Sequence, residues 1–155
     1  MTTPPWISIF GTILKALRVA SRTGPAAPIL QRLLSVPGIG LITGMMIYTE
    51  LIDMGRFRTL DQLKSFAGLV PSVYASGETE RVGGLTPRRS AQLKYALIES
   101  AWVAVRHDPV LLIKFQQLSL RMKKQQAIIR IAAKLLNRIR HVWLHEVPYV
   151  PAVIE

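Results

Sequence analysis

Apolar residues recur along most of this chain at intervals of three and four, the spacing that lines one face of an α-helix. The first run is Ile7, Ile9, Phe10, Ile13, Leu14 and Leu17. Ser21–Pro28 follows, rich in helix breakers, and reads as a linker. Ile29, Leu30, Leu33 and Leu34 predict a short helix that ends before Pro37. Leu41–Ile52 is apolar enough for a buried second helix, with Gly55 as its stop. Thr59 is a good N-cap for the run Leu60, Leu63 and Phe66, and Gly68 stands where a C-terminal cap with positive φ is wanted. Thr86-Pro87 and Asp108-Pro109 each place a capping side chain before a proline at the first helical position. They predict helices over Pro87–Arg106 and Val110–Met122. A last helix is predicted over Gln125–His145, with Ile128, Ile131, Ala132, Leu135, Leu136 and Ile139 on its apolar side. No alternating pattern of the strand kind stands out.

The fold class is therefore all-α: a helix–hairpin–helix core, an inserted loop or short hairpin at Leu69–Leu85, and long C-terminal helices. An N-terminal segment and linker take up residues 1–28, the helical domain residues 29–146 and a tail residues 147–155. The tail, with Pro148 and Pro151, is expected to stray from the domain.

Composition changes this picture in one respect. The chain has 155 residues, enough for one compact domain, and 20 Lys and Arg stand against 9 Asp and Glu, a net charge of +11. Such an excess favours an anionic partner, nucleic acid foremost. There is no cysteine, which excludes disulfides, thiolate metal sites and cysteine nucleophiles. The apolar stretch Trp6–Leu14 is shorter than the roughly 20 residues a bilayer span needs. Leu33–Thr49 is interrupted by Pro37, Gly38 and Gly40. No membrane association is expected.

The motif with the clearest chemistry is Ser35–Gly40, SVPGIG. Two helices meeting through such a turn leave unpaired amides at the start of the second, where the positive end of the dipole suits a phosphate oxygen. Val36 and Ile39 can anchor the turn, and Gly38, Ile39 and Gly40 are candidates to offer backbone amides. Contact with phosphate would be indifferent to base sequence. An ordinary corner between two helices is the alternative. Ser76 beside Gly77 offers a hydroxyl in a flexible step, with Arg81, Arg88, Arg89 and Lys94 near in sequence to surround a phosphodiester. A solvated loop serine is the alternative there. Arg121, Lys123 and Lys124 form the densest basic cluster, at a helix junction, where backbone contact competes with simple solvation. His141 and His145 share a helix face but sit in HVWLHE, not the HExxH of a metalloprotease, and no metal site is assigned. The acidic residues are too scattered for a two-metal nuclease.

In order along the chain stand VPGIG at Val36–Gly40, Glu50, Arg56-Phe57, FAGLVPS at Phe66–Ser72 and ASG at Ala75–Gly77. GGLTPR at Gly83–Arg88, YALIESAW at Tyr95–Trp102 and AIIRIAAKLL at Ala127–Leu136 complete the set. In this order they resemble the C-terminal domain of the IS-one-ten class of insertion-sequence transposases, over about two-thirds of the chain. The resemblance implies a DNA recombinase part in which Ser76 is the nucleophile, forming a covalent phosphoserine link with DNA. It implies partnership with an N-terminal RuvC-like domain whose four acidic residues bind a divalent metal, Mg. That domain is expected to be missing here, because the residues before Ile29 are few and contain no acid, so no cofactor is expected in this chain. A structured guide RNA, a homo-oligomeric state and a prokaryotic cytoplasmic, nucleoid-associated location are further implications. A non-catalytic helix–hairpin–helix module that binds DNA and recruits partners is the main rival. A helical protein-interaction bundle with incidental charge is the third reading.

Overall fold

The computed structural model describes residues 3–70 and 87–151, the first four of the second stretch by their backbone alone. Its described residues form seven α-helices, one short 3-10 turn and no strand. In chain order these are α1 (Pro5–Thr23), α2 (Ala27–Leu34), α3 (Leu41–Leu51), the 3-10 turn Met54–Arg56, α4 (Leu60–Phe66), α5 (Pro87–His107), α6 (Pro109–Ser119) and α7 (Lys124–Leu144). The all-α fold class holds. The segment read as an inserted loop or short hairpin lies outside the described residues from Pro71 onward.

The helix α7 is the axis of the structure. Its apolar side is buried along the whole length, from Ala127 through Leu135 to Trp143. α5 and α6 pack against it from one part of the chain, and α2, α4 and the 3-10 turn from the other. Leu30, Leu33, Ile47, Leu51, Leu93 and Leu97 meet it in one continuous core. Each such side chain removed from water contributes roughly 1.5–3 kcal/mol before chain entropy is set against it.

The helix boundaries follow the local chemistry. Thr59 accepts from the Gln62 amide at 3.2 Å, and Asp108 accepts from Val110 and Leu111 at 2.9 and 3.1 Å. Gly68 takes φ +67 at the end of α4, where only glycine is free of strain. Two boundaries differ from expectation. α3 stops at Ile52, which itself turns into positive φ, before Gly55 is reached. Gly55 instead sits in the 3-10 turn, where its amide is held by Asp53 at 2.8 Å. α1 runs to Thr23, inside the stretch read as linker, and ends where Gly24 extends.

The first turns of α1 carry Trp6, Ile9, Phe10 and Ile13 outward, with Trp6 65% exposed. Gly11, Leu14 and Leu17 of α1 are partly buried, and Ser21 near its end is fully buried. No helix of the described residues is long and apolar enough to cross a membrane.

Within the tail, Tyr149 does not stray from the domain. Tyr149 is half-buried, and its hydroxyl hydrogen-bonds the Asp108 carboxylate. Its backbone amide donates to Ser35 Oγ at 2.8 Å. Arg138 of α7 donates to the same carboxylate and to the Tyr149 oxygen. Glu146 pairs with Arg32 of α2 at 3.6 Å. Asp108, 1% exposed, thus joins the start of α6, the middle of α7 and the tail. Burial pushes its carboxyl up, but the Tyr149 hydroxyl, the Leu111 amide and the Arg138 charge outweigh burial and hold it below the ordinary value.

Candidate nucleic-acid interface

The SVPGIG turn is anchored as its pattern suggests. Val36 and Ile39 are buried, while Gly40 faces solvent at the head of α3. Gly38 takes φ +85, and a Cβ placed there would stand 2.2 Å from the Ser100 carbonyl oxygen of α5. The turn therefore lies with its backbone pressed on α5, and only a glycine permits it.

The three residues proposed to offer amides behave differently. The Ile39 amide is used within the turn, donating to the Val36 carbonyl at 3.1 Å. The first helical bond of α3 is that of the Gly44 amide to the Gly40 carbonyl, at 2.8 Å. Among the described residues the amides of Gly40, Leu41, Ile42 and Thr43 have no acceptor, and no side chain caps the helix. Ile42 is 49% exposed, so this helix start is open to solvent. An anion placed there meets several aligned N–H groups and the positive end of an 11-residue helix. Gly40 belongs to this open row, the Gly38 amide likewise has no acceptor among the described residues, and of the three amides only that of Ile39 is spent within the turn.

A second basic feature sits at the other end of α7. Arg121, Lys123 and Lys124 are all exposed at the junction of α6 and α7. Lys123 is the N-cap of α7, without a side-chain cap or an acid in the first turn. The SVPGIG turn is tied through Ser35 and Arg32 to the residues just past the C-terminal end of α7. Twenty steps of 1.5 Å separate the two ends, about 30 Å. The structure therefore does not bring the two basic features into one site. Lys94, partly exposed on α5, lies about 9 Å along that helix from Ser100, nearer the turn. Ser76 and Arg81 lie outside the described residues, and Arg88 and Arg89 begin α5 with only their backbone described. Among the described residues no three His, Asp or Glu side chains gather as a metal site. His141 and His145 lie side by side with ring centroids 4.3 Å apart and planes tilted by 39°.

The family profile described as "Transposase IS116/IS110/IS902 family" matches residues 30–116. The chain is 36% identical over 77 residues to the transposase for insertion sequence element IS1111A of Coxiella burnetii, covering 50% of this chain and 21% of that protein. It is 32% identical over 115 residues to the insertion element IS110 43.6 kDa protein of Streptomyces coelicolor, covering 73% of this chain and 27% of that one. The transposase for insertion sequence element IS1328 of Yersinia enterocolitica is 34% identical over 73 residues, 47% of this chain and 22% of that protein. The chain thus spans between a fifth and just over a quarter of the length of these relatives. No solved structure matches it. The family match runs from Leu30 of α2 to Gln116 of α6, through the glycine turn and its seat on α5, and takes in more than half of the residues: the chain belongs to the IS116/IS110/IS902 family of transposases.

Proposed function

We propose that this chain is the DNA-gripping part of a transposase and that the start of α3 holds a phosphate of the DNA backbone. The observation that carries the reading is the open row of amides at Gly40–Thr43, in a chain of net charge +11. Charge draws the polyanion, and the amides fix one phosphate without reading bases. Lys94 and the Arg121–Lys123–Lys124 cluster add phosphate contacts at other points, and Arg81, Arg88 and Arg89 complete the basic surround of the reacting phosphate. Ser76 is the nucleophile: its oxygen bonds to phosphorus, one strand is released with a free hydroxyl, and DNA is held as a serine ester. A RuvC-like domain with its divalent metal, a guide RNA and further copies of the chain are the partners this role requires, in the cytoplasm of a prokaryote.

Gly40→Asp tests the grip. Gly40 has extended φ and ψ and open space around its Cβ position, so aspartate fits as an N-cap and satisfies the same amides. The variant is expected to fold at least as stably as the parent. Its affinity for a mixed-sequence 20-base-pair duplex, read by fluorescence anisotropy, should fall at least tenfold. Unchanged affinity would remove the start of α3 from the interface. For Ser76, the Ser76→Ala variant of a full-length enzyme should bind DNA but leave it uncut, and persistent cleavage would end that assignment.

A further inference from the structure

Beside α7 lies a groove that the proposed phosphate site at α3 does not use. It has a volume of about 1250 Å³ and runs between α4, α6 and α7. On α6 it is lined by Val110, Ile113, Lys114 and Gln117, spaced as one helix face. On α7 it is lined by Gln126, Ile129, Arg130, Ala133, Lys134 and Asn137. Lys114, Arg130 and Lys134 have no ion-pair partner among the described residues. Lys64 at the α4 wall is paired with Asp61 at 3.5 Å, the one acidic side chain among the lining residues. The mouth of the groove, at Met122 and Gln126, adjoins the exposed Arg121–Lys123–Lys124 cluster. There the Lys124 and Gln125 amides have no acceptor among the described residues.

We infer that this groove is a track for a single DNA strand separated from its complement, entering at the start of α7 and running along Arg130 and Lys134. The inference rests on the proposed DNA-binding role and adds a second surface of different selectivity. Three observations favour this occupant. Cations recur along α7 from Lys124 to Lys134 over about 15 Å, as a uniformly charged backbone requires. A volume of about 1250 Å³ spread over about 24 Å of α7 gives a cross-section of about 50 Å², one strand wide, which a duplex cannot enter. Gln117, Gln126 and Asn137 supply amides that can both donate and accept at exposed base edges. The lining contains no aromatic ring, so bases are not gripped by stacking, and weak sequence preference follows. From Met122 to Arg138 the track is about 24 Å long, room for roughly seven stacked nucleotides and fewer if the strand is extended.

The test compares a fluorescein-labelled ten-residue oligo-dT with a 20-base-pair duplex, on the full chain, by anisotropy over a salt series. The Arg130→Gln/Lys134→Gln variant changes two exposed side chains. Its affinity for oligo-dT should fall at least tenfold and its salt slope should drop by about 1.4, two phosphates' worth. Duplex affinity should stay within twofold of the parent. Ala133→Phe keeps every charge but fills the channel, and should weaken oligo-dT alone. Equal losses on both DNAs would reduce the groove to general surface charge and overturn the inference. Tight capture of an acidic helical peptide or of oligo-U in preference to oligo-dT would overturn it in favour of another occupant. A parent chain that binds neither DNA would refute the DNA-binding role itself, whereas a parent that binds duplex, loses it on Gly40→Asp and ignores oligo-dT would refute the groove alone.

Discussion

Gly38→Ala adds a single methyl group and should be strongly destabilising. Two terms act at this position. The backbone stands at φ +85, where an L-residue with a Cβ loses about 1–2 kcal/mol relative to glycine. The new carbon would stand 2.2 Å from the Ser100 carbonyl oxygen and 3.0 Å from its carbon, all backbone of α5. No side chain can rotate away, so the turn or α5 must shift, and overpacking of this kind costs about 1–3 kcal/mol. Together they predict a loss of about 2–5 kcal/mol from a domain whose total stability is about 5–15 kcal/mol. In melting temperature that is about 2–4 °C for each kcal/mol in a chain of this size. Urea unfolding followed by helical circular dichroism reads it directly. Gly40→Ala, two residues on, has nothing within 4 Å of the added carbon and ordinary φ, and should unfold within about 0.5 kcal/mol of the parent. Equal midpoints for Gly38→Ala and Gly40→Ala would refute the claim that the turn is seated on α5 by backbone contact.

Further outcomes follow from the core and the tail. Asp108→Ala removes the α6 cap and leaves Arg138 without its carboxylate, and should lower unfolding free energy by about 2–4 kcal/mol in urea titrations. Leu135→Ala empties a fully buried site in the centre of α7 and should lose about 2–5 kcal/mol in the same assay. Stability should respond to pH at both extremes. The Asp108 carboxyl is lowered on folding, so its contribution is complete above 3.8, its ordinary value, and is lost as acid titrates it below that. Burial and the bond to Asp108 raise the Tyr149 hydroxyl from 10.0 to about 12, so its contribution is complete below pH 10 and is lost as pH rises through 12. Melting temperatures of the parent and Tyr149→Phe should therefore converge across that alkaline window.

Features set by neighbours in sequence were legible in advance. Thr59, Asp108, Pro87, Pro109 and Gly68 act within one turn of themselves, and the helices they bound start or stop within a few residues of the expected places. Features set by contacts between distant residues were not. The prolines around Tyr149 predict a stray tail, yet it meets Asp108 across 41 positions and Ser35 across 114, pairings that no local pattern announces. The groove was invisible for the same reason, since α4, α6 and α7 each contribute one wall. The glycine turn is legible from its letters, but not that one of its three amides is spent internally. The Ile39 amide closes a bond back to Val36, a detail of geometry that composition cannot carry. Of the basic residues singled out, Arg121, Lys123 and Lys124 proved exposed, and the 30 Å between them and the turn emerged only from the length of α7.

Tyr149 acts as a buckle, fastening the segment after α7 across the foot of the hairpin turn and the head of α6. Any shortening that removes it unfastens Ser35 at the very base of the SVPGIG bend. Trimmed versions of this chain should therefore report altered grip on DNA even though the cut lies more than a hundred positions away in sequence.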